Sequence, residues 1–281
     1  MTGGNYYHNS VISPCQVVSG LESARKWARK CISFGKFLTT KMINNLPDLV
    51  IAIIFSYIPD AERICKLALV CKKWHDIVHS STVWKKVHFD YQRKITSDVL
   101  RKYVYPGTTE ILLSECCYLK WEILCSILCR CKRIDVLFAP WIGHREEVVP
   151  DLTRTLNIGY LRNLDLSHCI VTDSLFIELP LRCPLLKILH LQDCQDISEK
   201  AHITSPFKTH GTLEVFNVAY NREARSVRSL IEILKYTDGK VLLVLDIRGH
   251  RFTQEDFDKI CEEHSDGIAR IKDIESYCYD L

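Results

Sequence analysis

The sequence contains no uninterrupted apolar run near the ~20 residues that a membrane-crossing helix requires. It also lacks a glycine-rich phosphate loop, an HExxH metal motif and a nucleophile elbow. His168, His190 and His250 recur near predicted strands, but none has a partnered nucleophile, so we interpret them as surface residues. We therefore expect a soluble protein that is not an enzyme and needs no cofactor.

Cysteine, in contrast, is abundant, with 14 in 281 residues. No secretory signal begins the chain, which favours a reducing compartment: the cytoplasm, the nucleus or both, with the mitochondrion as a lesser alternative. Cys116, Cys117, Cys125, Cys129 and Cys131 lie close together but lack the paired CxxC spacing typical of structural zinc. We interpret them as repeat and helix positions and predict no metal site.

Charge is unevenly distributed along the chain. Residues 1–45 have a net charge of +5 against +3 for the whole chain, which leaves −2 for the remainder. The remainder thus has no basic stripe, and we expect no nucleic-acid partner. Residues 1–42 form a basic arm with one predicted amphipathic helical stretch. We interpret it as a flexible or docked segment, with membrane contact and mitochondrial targeting as less favoured alternatives. Cys278 lies in a weak prenylation-like sequence, so its lipidation stays an open question.

Residues 46–89 concentrate apolar side chains in three predicted short helices. The first helix follows Pro47 and has almost no polar face. Fewer than about fifty residues rarely make a self-sufficient core, so this segment should need a partner. The plainer interpretation is a helical subdomain that only caps its neighbour.

This segment resembles an F-box over residues 43–90. The resemblance lies in Leu46-Pro47 opening an aliphatic helix, Pro59 ending it, the Val70-to-Trp74 stretch and the second tryptophan, Trp84. It implies binding to a Skp-type adaptor and, through it, to the cullin of a ubiquitin ligase. The implied adaptor-binding residues are Leu46, Pro47, Val50, Ile54, Phe55, Ile58 and Trp74, some of which must instead hold the three helices together.

The rest of the chain is periodic, with apolar residues at i, i+3 and i+5 and a cysteine or polar residue at i+8. Two clear copies begin at Leu161 and Leu186, and each ends its pattern in a cysteine. Weaker copies begin at positions 108, 133, 213 and 242, with a fragment at 268. This pattern resembles leucine-rich repeats: about six units and a terminal fragment over residues 108–281, joined to the F-box by a linker at 91–107.

The resemblance implies an α/β fold, in which a three-helix module precedes a short solenoid with parallel concave strands and convex helices. Pro180 predicts a short or irregular helix in the third unit. Side chains at i+3 and i+5 should be buried, and those at i+2, i+4, i+6 and i+7 should face the concave side. The i+4 positions are Leu112, Leu137, Asp165, His190, Asn217, Asp246 and Lys272. The predicted substrate-binding residues are Asp165, His168, His190, Asp193, Asn217, Tyr220, Asp246 and Arg248, which make a mildly acidic surface.

Taken together, the two resemblances imply a substrate-recognition subunit of a Skp–cullin–F-box ubiquitin ligase, a non-catalytic receptor that promotes ubiquitination and degradation of a target protein. A first alternative is an F-box/repeat scaffold that binds proteins without ubiquitin transfer. A second is an organellar assembly factor that uses the basic arm as an address.

Overall fold

The structure, a computed structural model, describes most of the chain between residues 43 and 275. The predicted basic arm, His250, the start of the terminal fragment at 268 and Cys278 lie outside the described residues. The described ranges are 43–58, 61–89, 95–114, 116–143, 146–204, 211–221, 244–249 and 273–275, with single positions at 253, 255, 258 and 262.

The chain begins its described part with a module of three short helices, α1 (Asp48–Ser56), α2 (Ala61–Leu67) and α3 (Lys72–Val78). Pro47 precedes α1 with extended backbone angles, a position where its missing N–H loses no hydrogen bond. Ile51, Ala52 and Phe55 of α1 are buried. A 3₁₀ turn, Val83–Lys85, leads out of the module.

An eight-stranded parallel sheet follows in chain order, with neighbouring strands adjacent throughout. Helices connect its strands, so the predicted α/β class is confirmed. None of the described helices has the length and apolar character to cross a membrane. The strands are β1 (Lys86–Phe89), β2 (Glu110–Leu113), β3 (Val136–Phe138), β4 (Asn163–Asp165), β5 (Ile188–His190), β6 (Val215–Asn217), β7 (Val244–Asp246) and β8 (Asp273–Glu275). The helices between them include α4 (Ser97–Tyr103), α5 (Trp121–Leu128), α6 (Leu152–Thr155), α7 (Asp173–Arg182) and α8 (Glu199–Thr204).

The helical module and the sheet share one hydrophobic core, joined at Trp84. The Trp84 side chain is fully buried and donates from Nε1 to the Val78 carbonyl at 2.6 Å. Its ring packs 4.3 Å from that of Tyr103, and its carbonyl accepts from Thr108 Oγ1 at 2.7 Å. The very next strand, β1, then pairs along its length with β2. The sheet therefore starts inside the residues predicted as the F-box.

The predicted linker at 91–107 needs correction, because it contains α4. Thr96 caps this helix by accepting from the Val99 N–H at 3.4 Å, and Leu100 is fully buried. As α4 lies between β1 and β2, it is the helix of a repeat whose strand is β1. Trp84, Val87 and Phe89 have the i, i+3 and i+5 spacing of the other repeats, but the resemblance assigned them to the F-box, so this repeat was not counted.

The two clear repeats fold as predicted, with Leu164, Leu166, Leu189 and Leu191 all buried. The unit predicted from position 133 is shifted by one residue. Leu137, predicted on the concave face, is 0% exposed and pairs with both Ile111 and Leu164. A one-residue shift exchanges the two faces of a strand, so Val136 and Phe138 lie on the open face instead.

Two further predictions are corrected near the ends of repeats. Ile274 of β8 is the partner of Leu245, so Ile274 is the i+3 residue of the terminal repeat and Glu275 is its i+4 residue, in place of the predicted Lys272. Pro180 does not shorten its helix: α7 runs for 10 residues, with Pro180 buried in the last turn. There the ring disturbs only the end of the helix.

We predict that Trp84→Ala destabilises the module and the repeats together, by about 3–5 kcal/mol, because it empties a filled core position shared by both. Chemical denaturation followed by circular dichroism measures this loss. Tyr118→Ala, at a site that is 74% exposed, is the control and should change stability by about 0.5 kcal/mol or less. Equal effects of the two substitutions would contradict a shared core at Trp84.

The corrected register of β3 predicts that Leu137→Ala costs about 2–5 kcal/mol of folding free energy, as expected for a buried leucine. Val136→Ala, one residue earlier on the open face, should cost less than half as much. Thermal and denaturant melts of both variants compare them directly. A larger loss from Val136→Ala would restore the register predicted from the sequence.

Candidate functional site

The most exposed apolar surface of the helical module is the outer side of α1. We define the outer α1 face as Leu49, Val50, Ile53, Ile54 and Tyr57, which recur at helical spacing and are all exposed. Leu49 is 62% exposed. Since the opposite side of α1 holds the module's core, the helix is apolar all round but covered on one side only. An exposed surface of this kind marks an interaction site.

The start of α1 is fixed by side chains from α3. Lys73 Nζ donates to the carbonyls of Asn44 and Leu46 at 2.8 and 2.9 Å and lies 3.2 Å from the Asp48 carboxylate. Trp74 Nε1 donates to Asn44 Oδ1 at 2.7 Å. These bonds hold the outer α1 face in one orientation relative to the module.

The structure separates the predicted adaptor-binding residues into two groups. Pro47, Val50 and Ile54 are exposed, while Leu46 and Ile58 are half-buried against the core. Phe55 and Trp74 require correction, because they are 3% and 7% exposed and pack edge to face with ring centroids 5.1 Å apart. These two rings stabilise the module and offer no surface to a partner.

Sequence reasoning missed part of this surface. Leu49, Ile53 and Tyr57 complete the outer α1 face, and Leu69 and Val70 are exposed in the turn after α2, with Leu69 85% exposed. Leu49 and Ile53 were visible in the sequence as part of the apolar run that forms α1. A run that is apolar on both sides does not reveal which side packs inward.

The second candidate site is the sheet face opposite the helices, which we call the open face. Its central row consists of i+4 residues on successive strands: Phe138, Asp165, His190, Asn217 and Asp246. Four of the eight predicted substrate-binding residues lie in this row. His190 lies between Asp165 and Asn217, and its ring centroid is 6.5 Å from that of Phe138.

Three members of the central row also cap the backbone at the end of their strand. The Oδ1 atoms of Asp165, Asn217 and Asp246 accept the N–H two residues later, from Ser167, Ala219 and Arg248, at 2.8, 3.0 and 3.2 Å. Such bonds satisfy backbone groups that the sheet leaves unpaired. These side chains therefore have a structural role in addition to any contact with a target.

A second row lies at i+7, where the strands turn away from the sheet. Trp141, His168, Asp193, Tyr220 and Gly249 all have positive φ angles, between 49° and 83°. Only glycine adopts this conformation without cost, and a side chain at Gly249 would meet the Tyr220 ring. The sequence pattern had placed three of them, His168, Asp193 and Tyr220, among the predicted substrate-binding residues.

Two of the predicted carboxylates have side-chain partners within the open face. Arg248 binds Asp246 through Nε at 2.9 Å and through Nη2 at 2.6 Å. His168 Nδ1 lies 3.1 Å from Asp193 Oδ2 and its ring stacks on Trp141 at 3.9 Å. Asp165 has neither kind of partner among the described residues.

The cysteines of the described repeats are mostly buried thiols. Burial raises the pKa of Cys125 and Cys131 to about 11 and that of Cys169 and Cys183 to about 12. Cys169 donates to the Ala139 carbonyl, and Cys194 donates to the Leu166 carbonyl. In the described ranges, no three His, Cys, Asp or Glu side chains are grouped to hold a metal ion.

Comparison with known proteins identifies the helical module. Residues 43–90 match the family model described as F-box-like, which confirms the resemblance seen in the sequence. The chain is also similar to a chain in the crystal structure of the Rad7 and Elc1 complex in yeast. That match has 13% sequence identity, covers 90% of this chain and 85% of the other, and has a TM-score of 0.32.

We predict that alkylation separates the buried repeat thiols from exposed ones. At pH 8 a thiol with a pKa of about 12, such as Cys169, is thiolate in roughly one molecule in ten thousand, and burial also blocks access. Cys129 is exposed and should react with iodoacetamide within minutes in the folded protein. Peptide mass spectrometry, with and without denaturant, measures the extent of alkylation at Cys169 and at Cys129. Equally rapid labelling of Cys169 in the folded protein would contradict its place in the core.

Proposed function

Because residues 43–90 are an F-box-like domain with an exposed apolar helix, we propose that the protein is a substrate-recognition subunit of a Skp–cullin–F-box ubiquitin ligase. In this proposal the outer α1 face binds a Skp-type adaptor, which carries the cullin. The open face of the repeats binds a target protein, whose ubiquitination leads to degradation.

The observation that carries the proposal is the division of α1 into two apolar sides. Ile51, Ala52 and Phe55 hold the module together, so the outer α1 face is not needed for folding. Four exposed apolar side chains on α1, with Tyr57 directly after it, are an unfavourable surface for a monomer. They are suited to fill an apolar groove on another protein, where such anchors supply most of the binding energy.

The shared core at Trp84 supports a receptor role for the repeats. Thr109 N–H donates to the Lys85 carbonyl at 2.8 Å, and Tyr105 donates from its hydroxyl to the His79 carbonyl at 3.1 Å. These contacts hold the outer α1 face and the open face in a fixed relation. A bound target would then be presented to the ubiquitin thioester at a defined distance, and proximity would raise the effective concentration of its lysines.

Catalysis in this proposal belongs to other subunits, and this chain contributes binding surfaces alone. A scaffold that binds the adaptor without ubiquitin transfer would use the same outer α1 face. Cullin that co-purifies with the adaptor from cells distinguishes the ligase from the scaffold. We place the complex in the cytoplasm, the nucleus or both.

We predict that Val50→Glu combined with Ile54→Glu lowers affinity for a purified Skp-type adaptor at least 100-fold, because two carboxylates would be buried in an apolar interface. Both positions are exposed, so the melting temperature should change by only a few degrees. Isothermal titration calorimetry with the full chain measures the affinity.

The matched control for this pair is Leu181→Glu combined with Leu185→Glu, which changes two exposed leucines of the repeats in the same way. This variant should bind the adaptor like the unmodified protein. Undiminished binding by the Val50/Ile54 variant, or an equal loss in the control, would contradict an adaptor site on α1.

A further inference from the structure

Two aspartates occupy equivalent positions in different repeats. Asp165 of β4 and Asp246 of β7 are both i+4 residues, and both accept the backbone N–H two residues later through Oδ1. Both are almost completely buried, at 7% and 6% exposure. The repeats therefore provide an internal comparison of one carboxylate in two surroundings.

Asp246 has a counter-charge within its own repeat. Arg248 Nε and Nη2 bind its two carboxylate oxygens, and the guanidinium lies 5.9 Å from the centre of the Tyr220 ring. Paired hydrogen bonds of this kind, beside an aromatic ring, are the arrangement that a guanidinium favours. The carboxylate at this position is thus compensated by the chain itself.

Asp165 has the same backbone bond but no such cation. Its repeat carries Ser167 where the other carries Arg248, and Oδ2 of Asp165 has no hydrogen bond or ion pair to any described residue. Asp165 thus keeps a carboxylate oxygen without a partner among the described residues, at the position where Asp246 binds Arg248. A cation supplied by a bound partner could take that oxygen in a charge-assisted hydrogen bond.

The neighbours of Asp165 fit the same cation. Its strand partners are Phe138 on one side and His190 on the other, and their ring centroids are 6.5 Å apart. An aromatic ring beside a carboxylate attracts a guanidinium through both its face and the charge. A carboxylate and an aromatic ring are thus close together here, as they are around Arg248, although Tyr220 is an i+7 residue and Phe138 and His190 are i+4 residues.

We propose that Asp165, flanked by Phe138 and His190, binds an arginine side chain of the target protein. The target's guanidinium would take at Asp165 the place that Arg248 takes at Asp246. Arginine is favoured over lysine because its planar group both stacks on a ring and donates two parallel hydrogen bonds. This inference rests on the proposed function in one respect, that the open face holds the target.

The test is a display selection of random 12-residue peptides against the immobilised full chain, run in parallel on three proteins. These are the unmodified protein, Asp165→Asn and the control Glu178→Gln, which removes a carboxylate from the convex helix α7. Asparagine keeps an Oδ1 atom to accept the Ser167 N–H, so the strand end should remain folded. Arginine should be enriched at one peptide position with the unmodified protein and with the control, but not with Asp165→Asn.

A peptide from that selection then permits a second measurement that does not depend on the variant's folding. Replacing its arginine with citrulline, which is neutral and similar in shape, should weaken binding to the unmodified protein at least tenfold in fluorescence anisotropy. Asp165→Asn should cause a similar loss, and both changes together should cost little more than either alone, because they remove one interaction.

Several results would overturn the proposal: no enriched arginine, lysine enriched equally, equal arginine enrichment by Asp165→Asn, or losses that simply add. Adaptor binding is measured on the same preparations. Arginine recognition without adaptor binding would leave this inference standing and remove the ligase assignment. Adaptor binding without arginine recognition would remove this inference and leave the ligase assignment standing.

Discussion

Burial of the Trp84 side chain is the interaction on which the rest of the structure depends. Its indole N–H closes the helical module by binding the Val78 carbonyl, and its ring and carbonyl contact Tyr103 and Thr108 of the first repeat. Directly after it, β1 supplies the first strand of the sheet. Without β1, β2 would be an edge strand with unpaired backbone groups. Module and repeats are therefore parts of one folding unit, and a deletion of residues 46–89 would remove a strand as well as a docking surface.

This continuity bears directly on how a receptor of this type could work. A flexible linker would let a bound target sample many positions, and the effective concentration of its lysines would fall accordingly. Here the parallel strands run without interruption from β1 through the repeats, so an adaptor on α1 and a target on the open face would hold a fixed separation. Specificity for particular lysines would then arise from this fixed geometry.

The sequence predicted the fold where its pattern was unambiguous and failed where several registers were equally apolar. In the two clear repeats the buried leucines alternate with a polar residue, Asp165 between Leu164 and Leu166 and His190 between Leu189 and Leu191, so one register is favoured. Val136, Leu137 and Phe138 are three apolar residues in a row. Their hydrophobicity alone does not show which of them faces the core. The neighbours decide: Ile134, Ala139 and Ile142 are all buried, which fixes Leu137 inward. The same ambiguity in α1 concealed which apolar side packs against Trp74.

The open face shows why site chemistry is harder to predict than register. Position i+4 has a structural demand that Asp165, Asn217 and Asp246 meet equally, because any of them can accept a backbone N–H. The three i+4 side chains differ in their neighbour two positions later, which is Ser167, Ala219 or Arg248. The strand needs only the backbone N–H of that neighbour, so its side chain can vary. A repeat can therefore keep its fold while its surface charge changes through one neighbouring side chain. The acidic character predicted for this face was an average over carboxylates with different neighbours. Arg248 binds Asp246 and His168 lies beside Asp193, whereas Asp165 has no such side-chain partner within the described residues.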